Sequence, residues 1–531
     1  MDSSGNGYHP WDSADRSVWR KYCGFLSLSE GDFKAVQESL LMESLEIMGR
    51  SPWGRSLLGG TVPLSVEEFR ESAPLTTYED YAPILDLREE NYLSFKPYSW
   101  AYTTTSRGGG KWSPYSQRAY DNLTDGVFSS VILAAARGEG EINIKHGDKG
   151  IYNIAPKPYI SGYVAQGLVE KFGFKSIPPL ELAEKMDFRE RIEAGFEMAL
   201  RTGVDIMCSL SSVLLKMGQR FAEHSQGGGF KRSRLHPAVL YRFSRALLGS
   251  KASGRGIMPR DLWPLKALIG WGLDTSLYGS EIADYWGAQP YEFHACTEVG
   301  ILAQQSWNKR GLTPSPYAAF LEYLPEDEIG KIQRDPDHRP RTVLVDELVP
   351  GRRYEVVLSS FYGMPFLRYR VGHLIKVLSK GDPETGVSLP QISFVGRTDE
   401  AIDLAGFTRL DEKTIWEALA GCPFQYEDWT IRKENPGGSP SLHLLIEVRD
   451  RLKPQEVEEV LHQGLRGVDP GYRDLEDMIG LKPLEVTLLP QGTFERYAQE
   501  MRRRGLDPSL WRVGHLNAPQ ARINELLDMA N

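Results

Sequence analysis

The chain has 531 residues, which exceeds the size at which one hydrophobic core keeps growing, so two or more domains are expected. Its hydrophobic content of 41% and charged content of 25% are those of an ordinary globular protein. The net charge of −9 and the pI near 5.7 argue against a nucleic-acid-binding surface.

The N-terminal segment and the cysteines predict a cytoplasmic protein with no membrane partner. Residues 1–8 are polar and acidic and lack the apolar core of a signal peptide. No window approaches the roughly 18 apolar residues that a membrane span needs. The four cysteines form no C-x-x-C pair, so neither zinc nor a disulfide framework is indicated. They are Cys23, Cys208, Cys296 and Cys422.

In the first half of the chain the residue pattern predicts mainly helices. Ser29 and Asp32 form a helix start signal, and the leucines and methionines that follow predict a helix over 27–49. The stretch 186–223 is also predicted to be helical, because its apolar residues recur near helical spacing around 210–217.

From residue 342 onward the pattern changes to short strands. The glycine-containing turn after Val395 is the predicted boundary between a large domain, residues 1–396, and a small domain, residues 397–531. The strands predicted before this boundary are 342–345, 354–358, 373–378 and 392–395.

The small domain is predicted to be an α+β unit. Its strands are expected at 442–448 and 484–489. Between them Pro454 opens a helix with apolar residues on one face. That strand–helix–strand order suits a small sheet covered on one side.

Residues 103–115 have the composition of a phosphate-binding loop. They read Thr-Thr-Thr-Ser-Arg-Gly-Gly-Gly-Lys-Trp-Ser-Pro-Tyr, with Lys111 after the third glycine. Glycines let backbone N–H groups turn toward an anion, hydroxyls add donors, and a lysine supplies a mobile positive charge. The stretch lacks the spacing of the commonest nucleotide loop, and alone it is also typical of a solvated loop.

Further motifs surround this loop in a fixed order, and each of them is weak when taken alone. Together with the loop they resemble the adenylate-forming superfamily, and most closely its acyl acid amido synthetases, the Gretchen Hagen family of auxin-responsive proteins. The motifs are Ser-Pro-Trp-Gly-Arg at 51–55, Val-Glu-Glu-Phe-Arg at 66–70, Thr-Tyr-Glu-Asp-Tyr at 77–81, Trp-Pro-Leu-Lys at 263–266, His-Ala-Cys-Thr-Glu at 294–298, Leu-Arg-Tyr-Arg-Val-Gly-His at 367–373 and Gly-Arg-Thr-Asp-Glu-Ala-Ile-Asp-Leu-Ala-Gly at 396–406.

The resemblance implies an α/β fold with a large N-terminal adenylate-forming-type domain and a small C-terminal α+β domain. It implies a ligase that activates a small carboxylic acid with ATP and passes the acyl group to an amine. ATP and Mg²⁺ are the implied cofactors, because phosphate charge must be neutralised while the carboxylate attacks. The acyl pocket is expected to be lined by a helix around 207–215 and by the segment 270–278.

The resemblance also implies roles for individual residues. Thr297 and Glu298 are expected near the α-phosphate, with Glu298 as the Mg²⁺ ligand and, with Lys111, as a catalytic residue. Arg397 is expected at the hinge, close to the ribose. Taken alone, Glu298 is also explained as a helix-start carboxylate and Arg397 as a surface ion pair. The residues expected at the phosphates are Thr105, Ser106, Gly108 and Lys111.

The sequence departs from the family pattern at the positions that face the nucleoside. His294 replaces a tyrosine that contacts adenine, and His373 replaces an aspartate that accepts hydrogen bonds from the ribose. A neutral imidazole accepts only one hydrogen bond, so the ribose hydroxyls lose a bidentate acceptor. The C-terminal segment that carries a catalytic lysine reads Trp-Arg-Val-Gly-His at 511–515, which leaves Arg512 as the nearest cation.

These departures leave two alternative functions open. In the first, a repurposed ATP-independent enzyme uses His294 and His373 as acid and base for cyclisation, dehydration or hydrolysis of a polyketide-like acyl substrate. Cys296 lies two residues from one histidine, but most free cysteines are small buried residues. The second alternative is a non-catalytic acyl-binding or partner protein. ATP-dependent pyrophosphate exchange separates the ligase from both.

Overall fold

The structure is a computed structural model. It describes residues 11, 15–104, 110–152, 154–186, 188–226, 236–252, 255–271, 275–335, 338–398, 402–404, 408–434, 441–479, 482–506 and 512–530. The chain divides into two compact units. The N-terminal unit comprises Met1–Thr103, Lys111–Val371 and Ile375–Phe394, and the C-terminal unit comprises Thr104–Gly110, Gly372–Leu374 and Val395–Asn531.

Four helices near the start of the N-terminal unit begin at serine caps. The Ser29 hydroxyl accepts a hydrogen bond from the Asp32 amide at 3.1 Å, which satisfies one of the amides left without a partner in a first helical turn. This cap and the helix that follows confirm the helix predicted over 27–49. The elements are α1 (Asp15–Cys23), α2 (Glu30–Met48), α3 (Pro52–Leu57), α4 (Val66–Ser72), α5 (Tyr78–Leu85), β1 (Ser99–Thr104), β2 (Gly110–Tyr115) and α6 (Gln117–Ala135).

A four-stranded parallel sheet follows, with the strand order β4-β3-β5-β6. The prediction of one helical stretch over 186–223 is wrong at 206–210, where a strand separates two helices. The elements are β3 (Lys149–Tyr152), α7 (Ile160–Phe172), β4 (Lys175–Ile177), α8 (Leu180–Ala183), α9 (Phe188–Thr202), β5 (Ile206–Leu210), α10 (Ser211–Gln226), α11 (Pro237–Ala252), α12 (Pro259–Leu262), β6 (Ala267–Trp271) and α13 (Thr275–Trp286).

A seven-stranded sheet completes the unit, with the order β10-β11-β12-β13-β9-β8-β7. Three strands predicted between 354 and 395 are confirmed, whereas 342–345 is not a strand, and a short 3-10 turn covers Val345–Glu347. The elements are β7 (Phe293–Cys296), β8 (Gly300–Gln305), β9 (Leu312–Pro314), β10 (Ala319–Pro325), α14 (Glu326–Arg334), β11 (Arg353–Ser360), β12 (Tyr369–Ser379) and β13 (Gln391–Arg397).

Aromatic packing joins α6 to α7 in the core of the N-terminal unit. The rings of Phe128 and Phe172 are stacked, with centroids 3.8 Å apart, and both side chains are fully buried. On another face of α6, Gly126 lies so close to β8 that an added Cβ would be 3.1 Å from Ile301. The helix therefore packs directly against the strand that follows the candidate site. In the described part of the chain, no helix is long and apolar enough to cross a bilayer.

The C-terminal unit contains a three-stranded sheet in the order β16-β17-β18, antiparallel and then parallel. The buried face of α16, which includes Val457, Leu461 and Leu465, follows the helical spacing read from the sequence. The predicted α+β arrangement is confirmed. The elements are β14 (Ile402–Leu404), β15 (Thr408–Leu410), α15 (Glu412–Ala420), β16 (Tyr426–Glu434), β17 (Ser441–Val448), α16 (Pro454–Val468), α17 (Pro470–Ile479), β18 (Leu484–Leu488), α18 (Thr493–Arg503) and α19 (Gln520–Asp528).

Candidate active site

The turn between β7 and β8 carries Thr297 and Glu298, and its geometry depends on Gly300. Gly300 has φ +92°, a left-handed value that side chains strain to adopt. A Cβ at this position would also lie 2.9 Å from the Leu123 side chain. Strand β7 alternates between half-buried and buried residues, so His294 and Cys296 share its buried face. The sequence therefore places a carboxylate at the end of a buried strand.

A chain of hydrogen bonds joins Lys111 to Glu298 through Tyr369. The Lys111 ammonium donates to the Tyr369 hydroxyl at 3.3 Å, and that hydroxyl donates to Glu298 Oε1 at 3.1 Å. Glu298 and Tyr369 are buried, whereas Lys111 on β2 is half-buried. The structure thus brings together two residues that lie 187 positions apart and that the sequence assigned to one site.

The Lys111 ammonium also contacts the aromatic ring of Tyr78. The Lys111 ammonium lies 4.9 Å from the centre of the Tyr78 ring, within the range of a cation–π contact. The Tyr78 hydroxyl donates to Asp86 at 2.7 Å and accepts from the Trp112 amide at 3.0 Å. Burial, and next the bond to Asp86, raise the pKa of Tyr78, so it remains a neutral phenol. The Tyr78 ring is therefore held by two hydrogen bonds at its hydroxyl, and its face contacts Lys111.

The turn itself is tied down by Tyr115 and Cys296. The Tyr115 hydroxyl donates to the Thr297 carbonyl at 2.8 Å. Burial and the neighbouring Glu298 carboxylate raise the pKa of Cys296 well above its usual value. Because the thiolate is the nucleophilic form, Cys296 is not an activated cysteine. It is the small buried residue that the sequence favoured.

His294 is a neutral, stacked side chain. It is 5% exposed, and its ring lies nearly parallel to that of Phe394, with centroids 4.9 Å apart and an interplanar angle of 27°. Burial lowers the pKa of His294 to about 4. At neutral pH this imidazole carries no charge and is a poor proton acceptor.

The remaining predicted site residues are placed less completely. His373 in β12 and Arg397 at the end of β13 are both half-buried, and both belong to the C-terminal unit. In the same unit, the Gly372 carbonyl accepts a hydrogen bond from the Thr398 amide. That His294 and His373 share a cleft stays a prediction. Thr105, Ser106 and Gly108 lie outside the described residues.

The two segments expected at the acyl pocket are neighbours in the structure. β5 and β6 pair in parallel, and the hydroxyls of Ser211 and Thr275, which follow these strands, are hydrogen-bonded at 2.5 Å. A Cβ at Gly270 would lie 2.7 Å from the Ser211 hydroxyl, so glycine permits this approach. Ligands of parallel sheets commonly bind at such carboxyl ends. The pocket itself stays a prediction.

Among the described residues, no group of three or more His, Cys, Asp or Glu side chains is placed to hold a metal ion. Mg²⁺ usually takes one or two carboxylates and completes its shell with water and substrate phosphates. Glu298 is a buried carboxylate and Lys111 carries an ammonium, and their roles at the metal and at phosphate oxygens stay predictions. The donor set therefore suits a metal that arrives with a nucleotide.

The sequence patterns did not identify Tyr369, Tyr78 or Tyr115 as site residues. Tyr369 and Tyr78 lie inside motifs that resemble the family, but nothing in the motif shows which hydroxyl faces the carboxylate. Tyr115 ends the glycine loop segment. Their roles depend on contacts between distant parts of the chain, which the tertiary structure alone supplies.

Three sequence models match the chain in order. They describe the GH3 family N-terminal domain at residues 24–217, the GH3 family central domain at 312–397 and the GH3 family C-terminal domain at 417–509. A protein of Oryza sativa subsp. japonica, named probable indole-3-acetic acid-amido synthetase GH3.4, is 26% identical over 231 residues. The matched region is 40% of this chain and spans only 35% of the rice protein.

Solved structures match over nearly the full length. The AtGH3.15 acyl acid amido synthetase in complex with 2,4-DB matches with a TM-score of 0.70 and 15% identity, over 98% of this chain and 97% of that chain. A 2-hydroxyisobutyryl-CoA ligase in the postadenylation state matches with a TM-score of 0.56 and 14% identity, over 88% and 92%. At these identities the likeness shows the fold, an α/β adenylate-forming-type domain followed by a C-terminal domain.

Proposed function

The chain belongs to the GH3 family, and we propose that it activates a small carboxylic acid with ATP and transfers the acyl group to an amine. The observation that carries this proposal is the arrangement of Lys111, Tyr369 and Glu298. A buried carboxylate and an ammonium contact one hydroxyl, and in the sequence the lysine follows a run of three glycines. Such a pair supplies the opposite charges that a nucleotide with its metal needs.

Lys111 and Glu298 have separate roles in the activation step. As the carboxylate substrate attacks the α-phosphate, negative charge builds on the phosphate oxygens and on the leaving pyrophosphate. Lys111, with donors from Thr105, Ser106 and the Gly108 backbone, stabilises this charge. Glu298 would hold Mg²⁺, which neutralises phosphate charge when bound. Thr297 positions this carboxylate through the turn that Tyr115 anchors.

His294 has a binding role in this proposal. A neutral imidazole is a planar ring, and Phe394 already supports it from one side. Its position matches that of the family tyrosine that contacts adenine, so His294 can take over the stacking of that base. Stacking needs a flat ring and no titration, and a pKa of about 4 agrees with that role.

We propose a separate role for each of the two domains. We assign residues 1–396 to nucleotide and acyl binding, with the acyl pocket between 207–215 and 270–278. Residues 397–531 form the small domain, and Arg397 at its start is assigned to the ribose. At the position that faces the ribose, His373 replaces the carboxylate of the family pattern. The ribose is therefore held by fewer hydrogen-bond acceptors.

The ATP-independent alternative has less support. Acid–base catalysis is most effective when the pKa of the group lies near the working pH. Burial lowers the pKa of His294 to about 4, so it neither donates a proton nor accepts one readily at pH 7. Cys296 is also held as a thiol. Family membership and these two protonation states favour the ligase.

Incubation with ATP, Mg²⁺, a panel of carboxylic acids and a mixture of amino acids tests the proposal. A ligase releases AMP and pyrophosphate and forms an amide, which mass spectrometry detects. Reactions without ATP are the control. Conversion of an acyl substrate without nucleotide would instead support the alternative.

A further inference from the structure

The single hydroxyl of Tyr369 contacts both charged groups of the candidate site, as the donor to Glu298 and as the acceptor from Lys111. Tyr369 is 1% exposed, so its hydroxyl is shielded from bulk water. A phenol can donate one hydrogen bond and can also accept one. The Tyr369 hydroxyl does both, since it accepts from Lys111 and donates to Glu298. The hydroxyl therefore connects a cation to an anion.

The ring of Tyr369 is held in place by its surroundings. It packs against Phe366 and Tyr81, with centroid distances of 5.0 and 5.8 Å. Its backbone is fixed by Thr76, which donates to the Arg368 carbonyl at 3.0 Å and accepts from the Arg370 amide at 2.8 Å. A hydroxyl on so rigid a support defines a fixed point for the two flexible side chains.

We propose that Tyr369 is a positioning residue, whose hydroxyl keeps Glu298 turned toward the metal and Lys111 turned toward the phosphates. This inference rests on the proposed function. Without the hydroxyl, the ammonium and the carboxylate lose their common partner and are free to pair with each other. A pair of that kind neutralises both groups, and a nucleotide with its metal would have to break it.

Tyr369→Phe tests the proposal because it removes one oxygen and keeps the ring. Tyr354→Phe is the matched control, since that buried hydroxyl accepts a hydrogen bond from the Val349 amide and is not among the contacts that hold Tyr369. ATP binding is measured by calorimetry over a range of Mg²⁺ concentrations. The half-saturating Mg²⁺ concentration should rise about tenfold in Tyr369→Phe, the scale of one hydrogen bond to a charged group. It should stay unchanged in Tyr354→Phe. Equal shifts in both variants, or no shift in Tyr369→Phe, would overturn the proposal.

A second measurement needs no nucleotide. Urea unfolding of the full chain is compared for Tyr369→Phe, Glu298→Gln and the double variant. The destabilisations should be non-additive, whereas those of Tyr354→Phe and Glu298→Gln should add. Additivity in the first pair would overturn the inference. If the unaltered protein binds no ATP with Mg²⁺, the proposed function fails, and this cycle still decides whether the Tyr369 hydroxyl holds Glu298.

Discussion

The imidazole of His515 is stacked on the indole of Trp429 in the C-terminal unit, with ring centroids 4.4 Å apart and an interplanar angle of 17°. Its Nδ1 bonds to Glu412 and its Nε2 lies 3.0 Å from Asp428 Oδ1. Burial alone would lower the pKa of this histidine, but the two carboxylates outweigh that effect and raise it to about 10. His515 is therefore an imidazolium held between two carboxylates, and the same charge keeps the pKa of the half-buried Glu412 below its usual value, against the effect of burial.

This arrangement predicts a loss of stability at alkaline pH. The folded pKa of His515 lies above the unfolded value of about 6.5, so the contribution is complete below pH 6.5 and is lost as pH rises toward 10. The urea midpoint of the C-terminal unit should fall between pH 6.5 and 9.5. His515→Gln should be less stable at pH 6.5 and should show a smaller fall. Parallel pH dependences in both proteins would contradict the assignment.

A buried ion pair in the N-terminal unit predicts a second stability effect. Arg368 bonds to both oxygens of Glu322 at 2.9 and 3.0 Å, and both side chains are buried. Arg368→Met leaves a buried carboxylate without its main partner and should reduce the free energy of unfolding by about 3–5 kcal/mol. The control is Arg50→Met, at the exposed pair with Glu46, which should cost less than about 1 kcal/mol. Similar losses would show that Glu322 finds another partner.

Substitution of the two charged site residues should impair adenylation without unfolding the protein. Lys111→Ala and Glu298→Gln should each reduce pyrophosphate exchange by about 10²-fold or more, the scale for a charge contact that strengthens in the transition state. Lys96→Ala changes an exposed lysine and is the control. Unaltered exchange in both site variants, with normal melting temperatures, would remove these residues from the site.

Replacement of His294 separates stacking from proton transfer. If the ring stacks on adenine, His294→Phe should bind ATP nearly as well as the unaltered protein. His294→Ala should lose about 1–3 kcal/mol of binding free energy, the contribution of one base–aromatic stack. Calorimetry measures both variants. Loss of activity in His294→Phe with normal ATP binding would instead support a role in proton transfer.

The sequence predicted those parts of the fold that local signals determine. The Ser29 cap predicted α2, and the apolar face of 454–468 predicted α16. It missed β5, because this short, mostly apolar strand of a parallel sheet shows no alternation to distinguish it from a helix.

For the candidate site, the ordered motifs supplied Lys111 and Glu298, whose proximity the structure shows. They did not supply Tyr369, because a hydroxyl between two distant charges leaves no mark on sequence spacing. Nor did His515 stand out as a charged residue. Its protonation depends on Glu412 and Asp428, which are 103 and 87 positions away.

The most direct measurement is ATP–pyrophosphate exchange by the unaltered protein, with Mg²⁺ and a panel of small carboxylic acids. Exchange requires reversible attack of a carboxylate on the α-phosphate, so ATP-dependent activation predicts label in ATP only when an accepted acid is present. Lys111→Ala provides the background. The absence of exchange with every acid, together with conversion of an acyl substrate in the absence of nucleotide, would contradict the ligase.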